Sequence, residues 1–167
     1  RPAILGNSMD VTETKLATQE IERIQRQQKA LLDNIPDIAW MKDAQGRYIA
    51  VNEACGKFCG KEPRSIIGRS AFDLFPFEIA QRFHAEDQTT VAVKRRTLTE
   101  KSIVTEKGEV IWHETIKTPI LNDRNEVIGI VGIARDVTER HKFEEDIRES
   151  EARFRLLAEN VSDVILF

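Results

Sequence analysis

The chain has 167 residues, 41% of them apolar and 32% charged, with 25 Lys and Arg against 28 Asp and Glu for a formal net charge of −3. These figures place it among ordinary globular chains of one domain with appendages, and the mixed charge gives no electrostatic footprint for phosphate backbones or anionic lipid. The longest uncharged apolar stretch, Val127 to Ala134, is far short of the roughly 20 residues of a membrane span, and Cys55 and Cys59 lie too close together to staple a secreted scaffold, so a soluble piece in a reducing cytoplasm is predicted, with no nucleic-acid partner and no membrane contact.

The chain opens on a segment that recurs near its end. A gapless shift of Ile4 onto Ile130 also superposes Gly6, Asp10-Val11-Thr12-Glu13, Ile21, Leu31, Asn34 and Asp37 on Gly132, Asp136-Val137-Thr138-Glu139, Ile147, Leu157, Asn160 and Asp163. The match predicts a tandem array: the tail of one unit, one complete unit, and the opening of the next. The repeated connectors, roughly Val11 to Leu32 and Val137 to Ala158, lack Pro and Gly and are rich in Glu, Gln, Lys and Arg, which predicts long helices. Narrow heptad seams run through Ala17, Ile21, Ile24, Gln28, Leu31 and Ile35, and through Phe143, Ile147, Ser150, Phe154, Leu157 and Val161, the width that one parallel partner helix covers. A solvated helix packed on its own domain is the competing reading. Each helix has an opening signal, Asp10 to Glu13 and Asp136 to Glu139, where a carboxylate can accept the free amides of the first turn.

Between the connectors, Ile38 to Lys42 and Tyr48 to Asn52 are short apolar runs joined by the turn residues Asp43-Ala44-Gln45-Gly46, a predicted hairpin. From Glu53 to Phe83, Gly56, Gly60, Pro63, Gly68 and Pro76 break the chain into short helical pieces, and a longer helix is predicted over Phe77 to Arg95. Three strands follow, Thr97 to Glu106, Glu109 to Leu121 and Val127 to Arg135, with turns at Lys107-Gly108 and Asn122 to Asn125. Short links make the sheet antiparallel, and the inserted helices cover one of its faces.

The ordered set Asn34-Ile35-Pro36-Asp37, Lys42-Asp43 with Gly46, Asn52-Glu53-Ala54, Gly60, Ile67-Gly68, Asp73-Leu74-Phe75-Pro76, Gly108 with Trp112, Lys117-Thr118-Pro119, Gly129, Gly132 and Asp136-Val137-Thr138-Glu139-Arg140 resembles the PAS sensory domains of bacterial signalling proteins. The resemblance implies an α+β PAS fold, a five-stranded antiparallel sheet with short helices on one face, flanked by long N- and C-terminal helices. The implied division is 1–9, the tail and last-strand remnant of a preceding PAS unit; 10–33, a linker or coiled-coil helix; 34–136, the PAS domain; 137–158, an output signalling helix; and 159–167, the start of a following PAS unit. It also implies a parallel homodimer joined through the flanking helices, and a relay at Asp136, Thr138, Glu139 and Arg140, where the output helix leaves the last strand.

The strand over 109–121 has two unlike faces, His113, Thr115 and Lys117 against Trp112, Glu114 and Ile116. Apolarity alone turns Trp112 and Ile116 inward; the resemblance turns His113, Thr115 and Lys117 toward the cavity with Gly132. On the second reading the cavity is bounded by those three residues with Phe75, Phe83, His84, Ile130, Gly132 and Ala134, and suits a small polar or anionic ligand. The alternative pairs Lys117 with a carboxylate of the chain and fills the cavity with side chains. His84 lies where haem-binding PAS domains place their iron ligand, against which stands an exposed or half-buried helix histidine. The asparagine-cysteine-arginine run of flavin-photoadduct relatives is absent from Gly68 to Pro76, which argues against blue-light adduct chemistry. His141 lacks the Arg and Pro that follow a kinase phosphoacceptor histidine. With no nucleophile elbow, phosphate loop or zinc-protease pair either, the reading is non-catalytic: a sensor and dimerisation module of a histidine kinase or cyclic-di-GMP enzyme, with a haem gas sensor and a ligand-free spacer as rivals.

Overall fold

The computed structural model describes residues 8–105 and 108–164. In chain order these form α1 (Ser8–Asp33), β1 (Ile38–Asp43), β2 (Tyr48–Val51), α2 (Glu53–Cys59), α3 (Pro63–Ile66), a 3-10 turn (Ala71–Asp73), α4 (Phe77–Val93), β3 (Thr97–Val104), β4 (Val110–Leu121), β5 (Val127–Asp136) and α5 (Thr138–Val164). The strands make one antiparallel five-stranded sheet in the order β2-β1-β5-β4-β3, so the first and last strands of the domain are neighbours at its centre.

Local chemistry accounts for most boundaries. Asp43 Oδ1 accepts from the Gln45 and Arg47 amides at 3.0 and 2.9 Å and so shapes the β1–β2 turn. The Asn52 side chain accepts the Cys55 amide and opens α2, and Gly60 closes it in the left-handed conformation, φ 63°. The α4 helix ends at Val93, two residues before the predicted end, because Lys94 takes a left-handed cap and its amide returns to Thr90 O. The first connector helix starts at Ser8, so Asp10 lies within it and not ahead of it. The second runs to Val164, past the predicted end at residue 158. Residues 34–38, the counterparts of 160–164, form a turn and enter β1, which β2 pairs; no strand pairs with 160–164 among the described residues, and there helical propensity prevails. Of the segments assigned to neighbouring units, residues 1–7 and 165–167 lie outside the described residues, as does Lys107 of the predicted turn.

The chain divides into two compact units, Arg1–Arg96 with Lys117–Ile133, and Thr97–Ile116 with Ala134–Phe167. In the first, Tyr48, Val51, Cys55 and Ile66 form an apolar core, with Ile38, Trp40, Cys59 and Leu74 packed against it. A bulge between Met41 and Lys42 breaks the β1–β2 register. At Gly132 any Cβ would fall 2.4 Å from the Trp40 ring, so only glycine admits that close approach. In the second unit α5 leaves β5 within two residues, and its apolar residues Phe143, Ile147, Phe154 and Leu157 are exposed, as are Ile21, Ile24 and Leu31 on α1 in the first.

Candidate functional site

In the first unit, three charged side chains from three elements meet out of water. Lys42 on β1 donates to Asp87 Oδ2 at 2.6 Å, and Lys117 on β4 donates to Asp87 Oδ1 at 2.6 Å. Only 3%, 4% and 5% of Lys42, Lys117 and Asp87 is exposed, which makes this a desolvated cluster and not a surface ion pair. Glu86 Oε2 lies 3.2 Å from Lys117 Nζ, and the Tyr48 ring sits 4.8 Å from Lys42 Nζ. Two ammonium groups are thus balanced by two carboxylates. Lys117 faces α4, so at this position the orientation drawn from apolarity is reversed. A buried cation overrides apolar patterning once a carboxylate is built opposite it. The same pairing removes the reason to require an anionic ligand for Lys117.

Beside the cluster is a cleft of about 250 Å3, walled by Asp43 and Gln45 of the hairpin turn, His84, Asp87 and Gln88 of α4, and Ile130 of β5. His84 is exposed, with its ring 5.8 Å from that of Phe72. Phe75 and Phe83 meet edge-to-face at 5.3 Å, Ile130 is buried, and Trp40 covers Gly132. The buried Trp40 Nε1 has no acceptor among the described residues, which leaves a donor for an acceptor group. Haem does not fit this cleft: its volume is below the roughly 300–1,000 Å3 of ordinary ligand pockets, and Asp43, Gln45, Asp87 and Gln88 stand among its apolar residues Val91, Val127 and Ile130.

The remaining predicted positions fall in the second unit. His113 and Ala134 are buried, Thr115 is half-buried, and Glu139 is exposed. Burial holds the His113 imidazole below its ordinary 6.5, against the opposing pull of Asp136. The unfolded chain therefore takes a proton near pH 6.5 that the folded chain refuses until lower pH, so stability falls with acidification through that window. Urea titrations of the wild type and His113→Gln should diverge as pH drops below about 6.5; a constant difference at every pH would reject this role.

At the β5–α5 junction the chain is pinned to β4. The Val137 amide donates to Trp112 O at 2.8 Å, the Trp112 amide donates to Thr138 Oγ1 at 2.9 Å, and the Thr138 amide donates to Asp136 Oδ1 at 2.9 Å, as the opening signal predicts. Burial pushes the Asp136 carboxyl up, but hydrogen bonds from Thr138 outweigh it and hold the group below the usual carboxylate range. One turn on, Arg140 donates to Glu100 at 2.5 Å, His141 also meets Glu100, and the His141 ring stacks on Trp112 at 4.1 Å. The hydrogen bond from His141 holds Glu100 below its ordinary range.

Sequence reasoning missed Asp87, Glu86, Lys42, Glu100 and the stacking role of Trp112. For Asp87 a signal existed, since it shares a helix face with Ala80, Phe83 and Thr90, and a carboxylate on a buried stripe implies a buried cation.

Comparison with known proteins gives a consistent match. The family model described as PAS fold matches residues 32–142. The chain is 26% identical over 121 residues to the methanogenesis regulatory histidine kinase FilI of Methanothrix harundinacea, covering 72% of this chain and 14% of that one. It is 24% identical over 119 residues to a diguanylate cyclase of Vibrio cholerae, covering 70% of this chain and 37% of the relative. Among solved structures, the PAS domain of Bordetella pertussis BvgS superposes with a TM-score of 0.59 at 18% identity, covering 78% of this chain and 98% of that domain. The chain thus spans well under half the length of the two curated relatives.

Proposed function

The chain belongs to the PAS family, and on that premise we propose that it is a regulatory, non-catalytic sensory and dimerisation module of a longer signalling protein, a histidine kinase or a cyclic-di-GMP enzyme with PAS units in tandem. The observation that carries this reading is the junction, where backbone and side-chain hydrogen bonds tie the first turn of α5 to β4, so that a shift of either strand reaches the helix directly. The exposed seams of α1 and α5 supply surfaces for a second copy in a parallel coiled coil. A small polar ligand held in the cleft by Asp43, Gln45, His84 and Gln88 is the input consistent with the lining.

Thr138→Val keeps the shape and deletes the hydroxyl acceptor of the Trp112 amide. Loss of one such bond is expected to lower stability by only about 0.5–1.5 kcal/mol, while the output of the full-length protein loses about 5-fold or more of its response to stimulus. Asp136→Ala should act in the same direction. A full response from both folded variants would defeat the relay.

A second reading, a spacer without ligand, is favoured by the internal pairing of Lys117 and by Trp40 packed over Gly132. Native mass spectrometry of the purified protein separates the two: a bound small molecule supports the sensor, and a bare chain with no thermal shift across a metabolite panel supports the spacer.

A further inference from the structure

The two cysteines serve neither the cleft nor the junction. Both are free, and they stand at the third and last positions of α2, four residues apart and therefore on one face. Cys55 is 3% exposed within the apolar core and Cys59 packs against that core half-buried, so the pair runs from the surface into the interior. The neighbouring Cys59 thiol and burial push Cys55 far up, while Cys55 and nearby Lys61 pull Cys59 below its ordinary value against its own burial. Cys59 is thus the accessible nucleophile, and Cys55 the second thiol waiting beside it.

A direct disulfide is the wrong product for this geometry. Positions four apart on a helix hold their Cβ atoms about 5–6 Å apart, whereas a disulfide needs roughly 3.5–4.5 Å, so closure would unwind α2. A bridging atom adds a second bond and spans the gap with the helix intact. Ions that demand four ligands are poorly served, since no group of three or more His, Cys, Asp or Glu side chains converges among the described residues. A two-coordinate complex of a monovalent ion would leave net charge in an apolar cluster, and the linear complex of a divalent ion sets its two sulfurs on opposite sides of the metal, whereas neighbouring thiols on one helix face suit a pyramidal centre.

We propose that Cys55 and Cys59 form a two-thiol site for monosubstituted trivalent arsenicals. Such a compound presents two hydroxyls on arsenic in water. Cys59 displaces one, Cys55 the other; two As–O bonds break, two As–S bonds form, the two thiol protons leave with the hydroxyls as two waters, and arsenic stays trivalent. The product is neutral, as the surrounding apolar side chains require.

Phenylarsine oxide is the probe, added to the folded protein and read by intact mass, thiol titration and thermal denaturation. The expected result is one phenylarsenic per chain, loss of both titratable thiols, and a raised Tm because the native state is the one that binds. Cys59→Ala, at the half-exposed end of α2 where folding is preserved, should weaken retention by about 100-fold or more, the loss that follows when a bidentate ligand becomes monodentate. Cys55→Ala should do the same if it folds, but the test does not depend on it. No adduct, an adduct that leaves one thiol titratable, or a lowered Tm, which marks capture of the unfolded chain, would each overturn the site.

Discussion

Asp87→Asn is expected to remove about 3–5 kcal/mol of folding stability, the cost of stripping one partner from a buried ion pair. The variant keeps the shape of the side chain and loses its charge. Lys42 and Lys117 then retain their ammonium groups at 3% and 4% exposure, opposite an amide that can accept at one oxygen and presents its own donors to them. Glu86 relieves only one of the two, since its carboxylate stands beside Lys117 at 3.2 Å. Urea denaturation should show a lower midpoint with an unchanged slope. The combined variant Lys42→Met, Asp87→Leu, Lys117→Met should recover most of the loss, because apolar replacement of a complete buried cluster is neutral or stabilising by about 1–4 kcal/mol. A loss below about 1 kcal/mol for Asp87→Asn would mean that water reaches the cluster.

Asn52→Ala is expected to be nearly as damaging, for a different reason. Asn52 is 1% exposed and spends its whole hydrogen-bonding capacity on backbone. Its Oδ1 accepts from the Ala39 and Cys55 amides at 3.0 and 2.9 Å. Its two Nδ2 protons are shared among Leu32 O, Ile35 O and Asp37 O at 3.3, 3.0 and 2.8 Å. One amide thus caps α2, anchors β1 and holds the end of α1. Each buried group left unsatisfied costs about 1–3 kcal/mol, so a total near 3–4 kcal/mol is expected. Asn52→Asp distinguishes the two halves of the role: it can still accept from the two amides, but it turns a carboxylate toward three carbonyl oxygens. Faster hydrogen exchange at the Cys55 and Ala39 amides should accompany the loss in the alanine variant; unchanged exchange there would refute the anchoring role.

These two residues mark where sequence reasoning reaches and where it stops. Asn52 is legible as the start of a helix through the resemblance, in which Asn52-Glu53-Ala54 opens one, while the apolar run places it at the end of the strand; it caps α2. Its grip on α1 is not legible, because a side chain's second and third partners lie in a loop whose path only the fold decides. The hairpin turn at Asp43 to Gly46, the break after Gly60 and the three late strands are local chemistry and fall within two residues of prediction. Lys117 could be read two ways, and only the position of Asp87, 30 residues earlier and on another element, chooses between them. Glu100 is hidden for the same reason: an acidic residue in an exposed-looking strand gives no sign that it will meet both Arg140 and His141.

The connectors α1 and α5 are both helical, and the tetrapeptide Asp-Val-Thr-Glu recurs in each, at Asp10 and again at Asp136. In both helices exposed apolar residues recur at matching intervals from that aspartate, Ile21 and Leu31 after Asp10 and Ile147 and Leu157 after Asp136, so the two rods turn the same stripe toward solvent.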